Sequence, residues 1–416
     1  MKEFYEPMIY MSTPEHPNTM GALVVLKEEI DGDILRDVVE ELRVRFPYFY
    51  IKVVARDNDL SPEPNPLPMT VRNTWEPINF NSEESNYHLA AWKYEGKRLS
   101  FEISHSLTDG AGFLPYIKSA LYLYLSRKTK DAIDPAGFRL PGDEIPESET
   151  GNPFSDLDID SAEAPLYSKP PVPDFFRLND GTEKVSYVNY IKLSEDELMQ
   201  YCKDFDGSPN AFISVMLARS ARRFCPDNEK TICISVAIDH KAMLGNNDNY
   251  RLFANVIELD FPKDRSLEDL MKACTTVRGQ MIIQAQPENS LWTLKQRKLT
   301  YEKLGQVPLE MKLGMIAKSA GSTRWSMSVS YANSRSFGPL DPYIEEFYCL
   351  SEPGVSDIIC EITCINKSFF LAIGRNFTSE KFIEIFLDEL SSVGVSYELM
   401  GNEPFRLCGV ESYNEG

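Results

Sequence analysis

His105 is followed by Asp109 and Gly110 in the stretch Arg98-Leu99-Ser100-Phe101-Glu102-Ile103-Ser104-His105-Ser106-Leu107-Thr108-Asp109-Gly110. Leu99, Phe101, Ile103 and His105 alternate at the strand period of two, which turns the imidazole inward beside three apolar side chains. Phe113, Tyr116, Ile117, Ala120, Leu121 and Tyr124 then recur at helical spacing. Thr108 or Asp109 is suited to cap that helix, and Pro115 is tolerable in its first turn. A strand end, a tight junction and a helix start can together mount a general base. Imidazole has a reference pKa of about 6.5 and accepts a proton near neutrality. Plainer readings stand beside this one: a buried histidine on an apolar strand face is commonly a satisfied core residue, and an aspartate before a helix is an ordinary cap.

The elements that must position this junction can be read on both sides of it. An apolar run at 22–26, a helix over 32–45 and a strand over 48–55 lead to a proline-rich loop at 60–69. Segments 87–94 and 97–104 form a hairpin about Glu95-Gly96 that delivers His105. Residues 131–180 are acidic and rich in proline, glycine and serine, the composition of a linker. Beyond it come a strand over 185–193 and a helix opened by the capping box Ser194-Glu195-Asp196-Glu197. A helix over 209–223, strands at 232–238 and 255–261, a helix over 266–283 and a strand at 326–331 follow. A second hairpin, 358–365 with 368–374, turns about Asn366-Lys367 and precedes a helix through Leu390. Hairpin, polar junction and helix thus occur once in each half. The first junction carries His105 and Asp109, the second Arg375 and Asn376.

A chain of 416 residues exceeds one ordinary core and suits two domains, 1–180 ending in the linker and 181–416. Lys+Arg 43 against Asp+Glu 63 leaves a net charge of −20. That field repels phosphate backbones and anionic membranes, so neither nucleic acid nor a membrane is an expected partner. No apolar signal segment or membrane-length run is present, and a cytoplasmic location is expected. The eight cysteines are scattered without the paired spacing of a zinc site, and no metal is expected. Phosphate-loop, dinucleotide-binding and nucleophile-elbow motifs are absent.

Taken together, the motifs resemble the chloramphenicol acetyltransferase-like superfamily, which includes condensation domains, alcohol O-acetyltransferases and polyketide-associated acyltransferases. The resemblance spans nearly the whole chain. It rests on Ser104 to Gly110 as the His-x-x-x-Asp-Gly motif, on Val236-Ala237-Ile238-Asp239-His240-Lys241, on Asn255 before a strand, and on Ser328 to Gly338 as the Ser-Asn-x-Gly segment. It implies an α/β (α+β) fold of two similar lobes in a V, with a tunnel between them that admits acyl donor and acceptor from opposite faces. His105 would be the general base, with Asp109 and Gly110 structural at the site. Ser330 and Asn333 are the candidates to hydrogen-bond the tunnel or the oxyanion. Three departures narrow the match. Ser104 stands where condensation domains usually carry a second histidine, the plant Asp-Phe-Gly-Trp-Gly motif is missing, and Lys241 replaces an expected arginine, removing a bidentate partner for a carboxylate. His240, His16 and His88 are expected to be structural.

The expected function is acyl transfer from a coenzyme A thioester, a co-substrate and not a resident cofactor, to an alcohol or amine. Two alternatives stay open: a condensation or release enzyme fed by an acyl carrier protein, and a catalytically silent recruitment module of the same fold.

Overall fold

Short-range chemistry sets most element boundaries in the computed structural model, which describes residues 7–12, 17–56, 58–166, 169–241, 245, 248–320, 324–332, 336–410 and 413. Asp31 caps α1 (Gly32–Leu42) by accepting from the Asp33 and Ile34 amides, and Leu35, Val38, Val39 and Leu42 form its buried stripe. Ser208 caps α5 (Pro209–Phe224) with proline at its first position, and Ser194 caps α4 (Glu195–Asp204).

Two sheets organise the chain. The first runs β12–β1–β7–β6–β4, built from β1 (Thr19–Leu26), β4 (Val71–Asn73), β6 (Ala90–Glu95), β7 (Arg98–Ser104) and β12 (Ile344–Ser351). The second runs β10–β9–β11–β13–β14–β8–β15, from β8 (Tyr187–Ser194), β9 (Ile232–Asp239), β10 (Ala254–Phe261), β11 (Trp325–Tyr331), β13 (Ser356–Ile365), β14 (Ser368–Arg375) and β15 (Tyr397–Pro404). α1 and α2 (Gly110–Thr129) pack on each other and into the first core. There Phe101 on β7 lies 4.9 Å from Tyr116 on α2, ring centre to ring centre. α5 and α9 (Lys381–Ser392) contribute to the second core. β13 is buried along nearly its full length, as expected of a central strand.

Both expected hairpins are present, β6 with β7 and β13 with β14. The proline-rich stretch read as a loop differs: its first part forms β3 (Asp59–Pro64), paired with β2 (Ile51–Arg56) alone. Pro62 and Pro64 are accommodated because that strand is paired on one side only. Strand β12, which sequence periodicity did not mark, leaves the second half of the chain to pair with β1 in the first sheet. The last residues follow it, since β16 (Gly409–Val410) pairs with β5 (Asn79–Phe80).

The acidic segment 131–180 holds the short helix α3 (Glu147–Thr150), and one of its attachments is the buried carboxylate of Glu149. Arg45 donates twice to Glu149, at 2.7 and 2.9 Å, Arg139 meets it at 2.8 Å and the Tyr48 hydroxyl donates at 2.5 Å. Burial pushes the Glu149 pKa up, but Arg45, Tyr48 and Arg139 outweigh it and hold the carboxyl below its usual range.

Replacing Glu149 with alanine leaves the Arg45 guanidinium buried and uncompensated, which is expected to cost about 3–5 kcal/mol. Urea unfolding measures the loss, and limited proteolysis is expected to shift cleavage into 131–180. An unchanged midpoint and cleavage pattern would show that the segment is held elsewhere.

Candidate active site

The β7 ladder places His105. Its backbone N–H donates to the Asn18 carbonyl at 2.9 Å, extending the β1–β7 pairing by one step before the chain turns. The ring is partly buried, and its Nδ1 lies 2.8 Å from the Thr108 carbonyl oxygen. A carbonyl only accepts, so Nδ1 carries the proton and donates it. Nε2 therefore presents a lone pair, and among the described residues nothing hydrogen-bonds it. This is the tautomer that a general base needs.

Asp109 is built differently. It caps α2 by accepting the Gly112 amide at 2.9 Å on Oδ1. The same oxygen accepts from Lys241 Nζ at 2.6 Å, and Oδ2 accepts the Phe253 amide at 2.8 Å. Lys241 and Asp109 are both nearly inaccessible to solvent. Asp109 makes no bond to His105: it holds the loop that carries the imidazole and ties it to the ends of β9 and β10. Lysine, at the position where the resemblance implies arginine, supplies one point of attachment, and a backbone N–H occupies the second oxygen. Asp239 accepts the Lys241 amide at 2.8 Å and so shapes the turn that presents the lysine.

The glycines divide the junction between them. Gly110 has room for a side chain, with only Met20 Cε at 3.9 Å from a built Cβ. At Gly112 a Cβ would collide with the Tyr250 carbonyl and the Thr108 hydroxyl. That hydroxyl donates to the Tyr250 carbonyl at 2.6 Å, a second bond between the junction and the chain before β10. Sequence reading passed over Phe253 and Tyr250 because both act through backbone atoms, which leave no mark in residue type.

Ser330 lies near the end of β11, level with Glu361 on β13. It belongs to a serine stripe, Ser326, Ser328 and Ser330, on the face opposite the second core, where Ser328 also bonds Ser235 and Ser356. Asn333 and His16 fall outside the described residues. The junction of the second hairpin has no comparable base. Arg375 is fully buried and donates to Asn189, to the Phe377 carbonyl and to the Thr378 carbonyl at 2.7 Å.

The other two described histidines are buried and held neutral. Burial lowers the pKa of both His88 and His240 to about 4, with Arg297 adding to the effect at His240. His88 keeps one bond, at 2.7 Å to the Leu67 carbonyl, while neither His240 nitrogen has a partner among the described residues. Among the described residues no group of three or more His, Cys, Asp or Glu side chains is placed to hold a metal ion, and none of the eight cysteines is in a disulfide. A cleft of about 1210 Å³ opens on the face of the first sheet that carries Lys93 and Glu102; His105 does not line it.

No family model matches the chain, and no curated protein is similar to it in sequence. Solved structures are similar in fold. Polyketide synthase associated protein 5 from Mycobacterium tuberculosis aligns over 90% of this chain and 93% of its own, at TM-score 0.60 and 13% identity. TRI101 of F. sporotrichioides, solved with coenzyme A and T-2, aligns over 95% and 98%, at TM-score 0.56 and 12% identity. The starter condensation domain of rhizomide synthetase, solved with C8-CoA, aligns over 93% and 91%, at TM-score 0.55 and 12% identity. The chain thus has the α/β fold of chloramphenicol acetyltransferase-like proteins.

Two outcomes follow from the buried groups. Lys241→Met strands the Asp109 carboxylate and is expected to destabilise by about 3–5 kcal/mol, with Asp109→Asn milder than Asp109→Ala because it keeps a capping oxygen. Melting curves rank the three, and wild-type stability in Lys241→Met would disprove the clamp. Separately, unfolding returns His88 and His240 from about 4 to 6.5. The unfolded state therefore binds protons first as the pH falls, so stability declines from pH 6.5 toward 4, by roughly 3 kcal/mol per ring. His240→Phe is expected to remove about half of that decline in denaturant titrations across the window.

Proposed function

We propose that this chain is an acyltransferase that moves an acyl group from a coenzyme A thioester to an alcohol or amine, with His105 as general base. One observation carries the reading: the imidazole is fixed through Nδ1–H to the Thr108 carbonyl, and among the described residues nothing bonds its Nε2. The fold supports it, because similar structures were solved with coenzyme A or an acyl-coenzyme A. In this reading residues 1–180 and 181–416 are two lobes, with β12 carried across, and substrates meet His105 in a tunnel between them.

Nε2 removes the proton of the acceptor O–H or N–H as that atom attacks the thioester carbonyl. The tetrahedral oxyanion is stabilised by hydrogen bonds, for which Ser330 and Asn333 are the proposed donors, a role worth roughly 3–4 kcal/mol. Collapse expels the coenzyme A thiolate, which takes the proton back from the imidazolium. Asp109 and Gly110 are structural here, Asp109 as the clamp of the loop. The protein would be cytoplasmic; no helix among the described residues is long and apolar enough to cross a membrane.

A carrier-protein-dependent enzyme is the second reading, since some similar structures belong to peptide synthetases. The net charge of −20 disfavours it, because carrier proteins are acidic. A His105 Nε2 without a partner among the described residues disfavours a silent recruitment module.

With an acyl-coenzyme A and an alcohol or amine panel, free thiol release is expected to fall about 100- to 10,000-fold in His105→Ala while the melting curve is retained. With donor alone, intact-protein mass spectrometry is expected to show no acyl adduct, and two-substrate kinetics to give intersecting lines. Near wild-type turnover in folded His105→Ala, or a chemically competent adduct, would overturn the mechanism.

A further inference from the structure

Segment 131–180 has the composition of a linker, but stretches of that length with so little regular structure are uncommon inside a fold unless they have a task. Here its short helix α3 grips the chain that adjoins the catalytic junction. The Glu149 carbonyl accepts the Tyr250 amide at 3.1 Å. Asn249 is buried and donates through Nδ2 to the carbonyls of Ser148 at 3.2 Å and Gly151 at 3.0 Å. The Tyr250 ring stacks on Tyr48 with ring centres 4.0 Å apart, and the Tyr48 hydroxyl donates to the Glu149 carboxylate. Phe154 packs on Phe253, 5.0 Å between centres. Residues 249, 250 and 253 are thus braced from the segment.

From the braced residues the contact passes to the base. Thr108 is fully buried, and its one hydroxyl proton has two carbonyls in reach, Tyr250 at 2.6 Å and Asp109 at 3.2 Å. The shorter contact takes it. Threonine is branched at Cβ, so seating its Oγ1 on the Tyr250 carbonyl leaves χ1 little freedom and fixes the backbone beside it. The carbonyl of that same residue accepts His105 Nδ1–H at 2.8 Å. Three hydrogen bonds in series therefore lead from the Glu149 carbonyl through the Tyr250 amide and the Thr108 hydroxyl to the imidazole.

We propose that Thr108 is a positioning residue for His105, whose hydroxyl holds the carbonyl that keeps the imidazole proton on Nδ1, and that α3 braces it through residues 249 and 250. A neutral imidazole can carry its proton on either nitrogen, so a carbonyl held at Nδ1 is what leaves Nε2 basic. That Nε2 then serves acyl transfer rests on the function proposed above; the tautomer and its cause do not.

The test reads the tautomer directly, by nitrogen NMR of protein labelled at its four histidines, at a pH of about 8.5 where an imidazole of ordinary pKa is neutral. His105→Ala assigns the signal. The wild-type protein is expected to carry the proton on Nδ1. Thr108→Ser and Thr108→Ala differ in the hydroxyl alone: serine is expected to keep the wild-type pattern, and alanine to lower the ratio of Nδ1–H to Nε2–H about 2- to 10-fold, the factor of one net hydrogen bond. Asn249→Ala is expected to shift the ratio the same way by a smaller factor. With acetyl-coenzyme A and the acceptor that turns over fastest in the alcohol and amine panel, kcat is expected to fall about 10- to 100-fold in Thr108→Ala with KM unchanged, and to recover in Thr108→Ser. A wild-type proton on Nε2, a wild-type ratio in Thr108→Ala, or an equal loss in Thr108→Ser overturns the proposal, and a wild-type ratio in Asn249→Ala overturns the brace. Should Thr108→Ala not fold, Thr108→Cys, with a weak thiol donor in place of the hydroxyl, is compared with Thr108→Ser in the same way. The expected tautomers in a wild-type protein that transfers no acyl group would reject acyl transfer and leave the positioning of His105 standing.

Discussion

The Asp109 carboxylate is the contact on which the arrangement at His105 depends. It accepts from Lys241, from the Gly112 amide and from the Phe253 amide, so one buried anion caps α2 and joins the end of β7 to the ends of β9 and β10. Such an anion tolerates burial only while its donors stay in place. The loop between strand and helix is fixed as a consequence, and with it the Thr108 carbonyl that selects the His105 tautomer. A carboxylate that never touches the imidazole thereby sets which of its nitrogens is basic.

The same economy recurs away from the site. Glu149 fastens the acidic segment through Arg45 and Arg139, and Asp357 collects Arg177 together with the Leu178 and Asn179 amides at the start of β13. In each case a buried acid joins stretches of chain that no sheet connects.

The two hairpins show how one architecture yields one candidate base. Each ends in a polar junction before a helix, yet Arg375 spends its donors on Asn189 of the neighbouring strand and on the carbonyls of its own junction, whereas among the described residues nothing bonds His105 Nε2. An arginine that remains protonated at neutral pH cannot take up a proton, so the second junction is restricted to holding structure.

Residue type and local spacing were enough to mark His105 as a candidate base, and to place the helix that follows it, both hairpins and the caps of α4 and α5, because these depend on neighbours within a few positions. The motif segments also pointed to the α/β fold. Strand β12 was not legible: its position is decided by pairing with β1, more than three hundred residues earlier by the register of Met20 with Ser351, and nothing local encodes that partner. β3 was hidden by its prolines, which an edge position tolerates. At the site, Asp109 was legible as a cap, but two of its three donors lie 132 and 144 residues away, and the farther of them is a backbone amide that any residue except proline could supply. Sequence determined which side chains could do chemistry; only the tertiary structure decided which of them were left unpaired, because satisfaction of a buried charge depends on groups that meet in space and not along the chain.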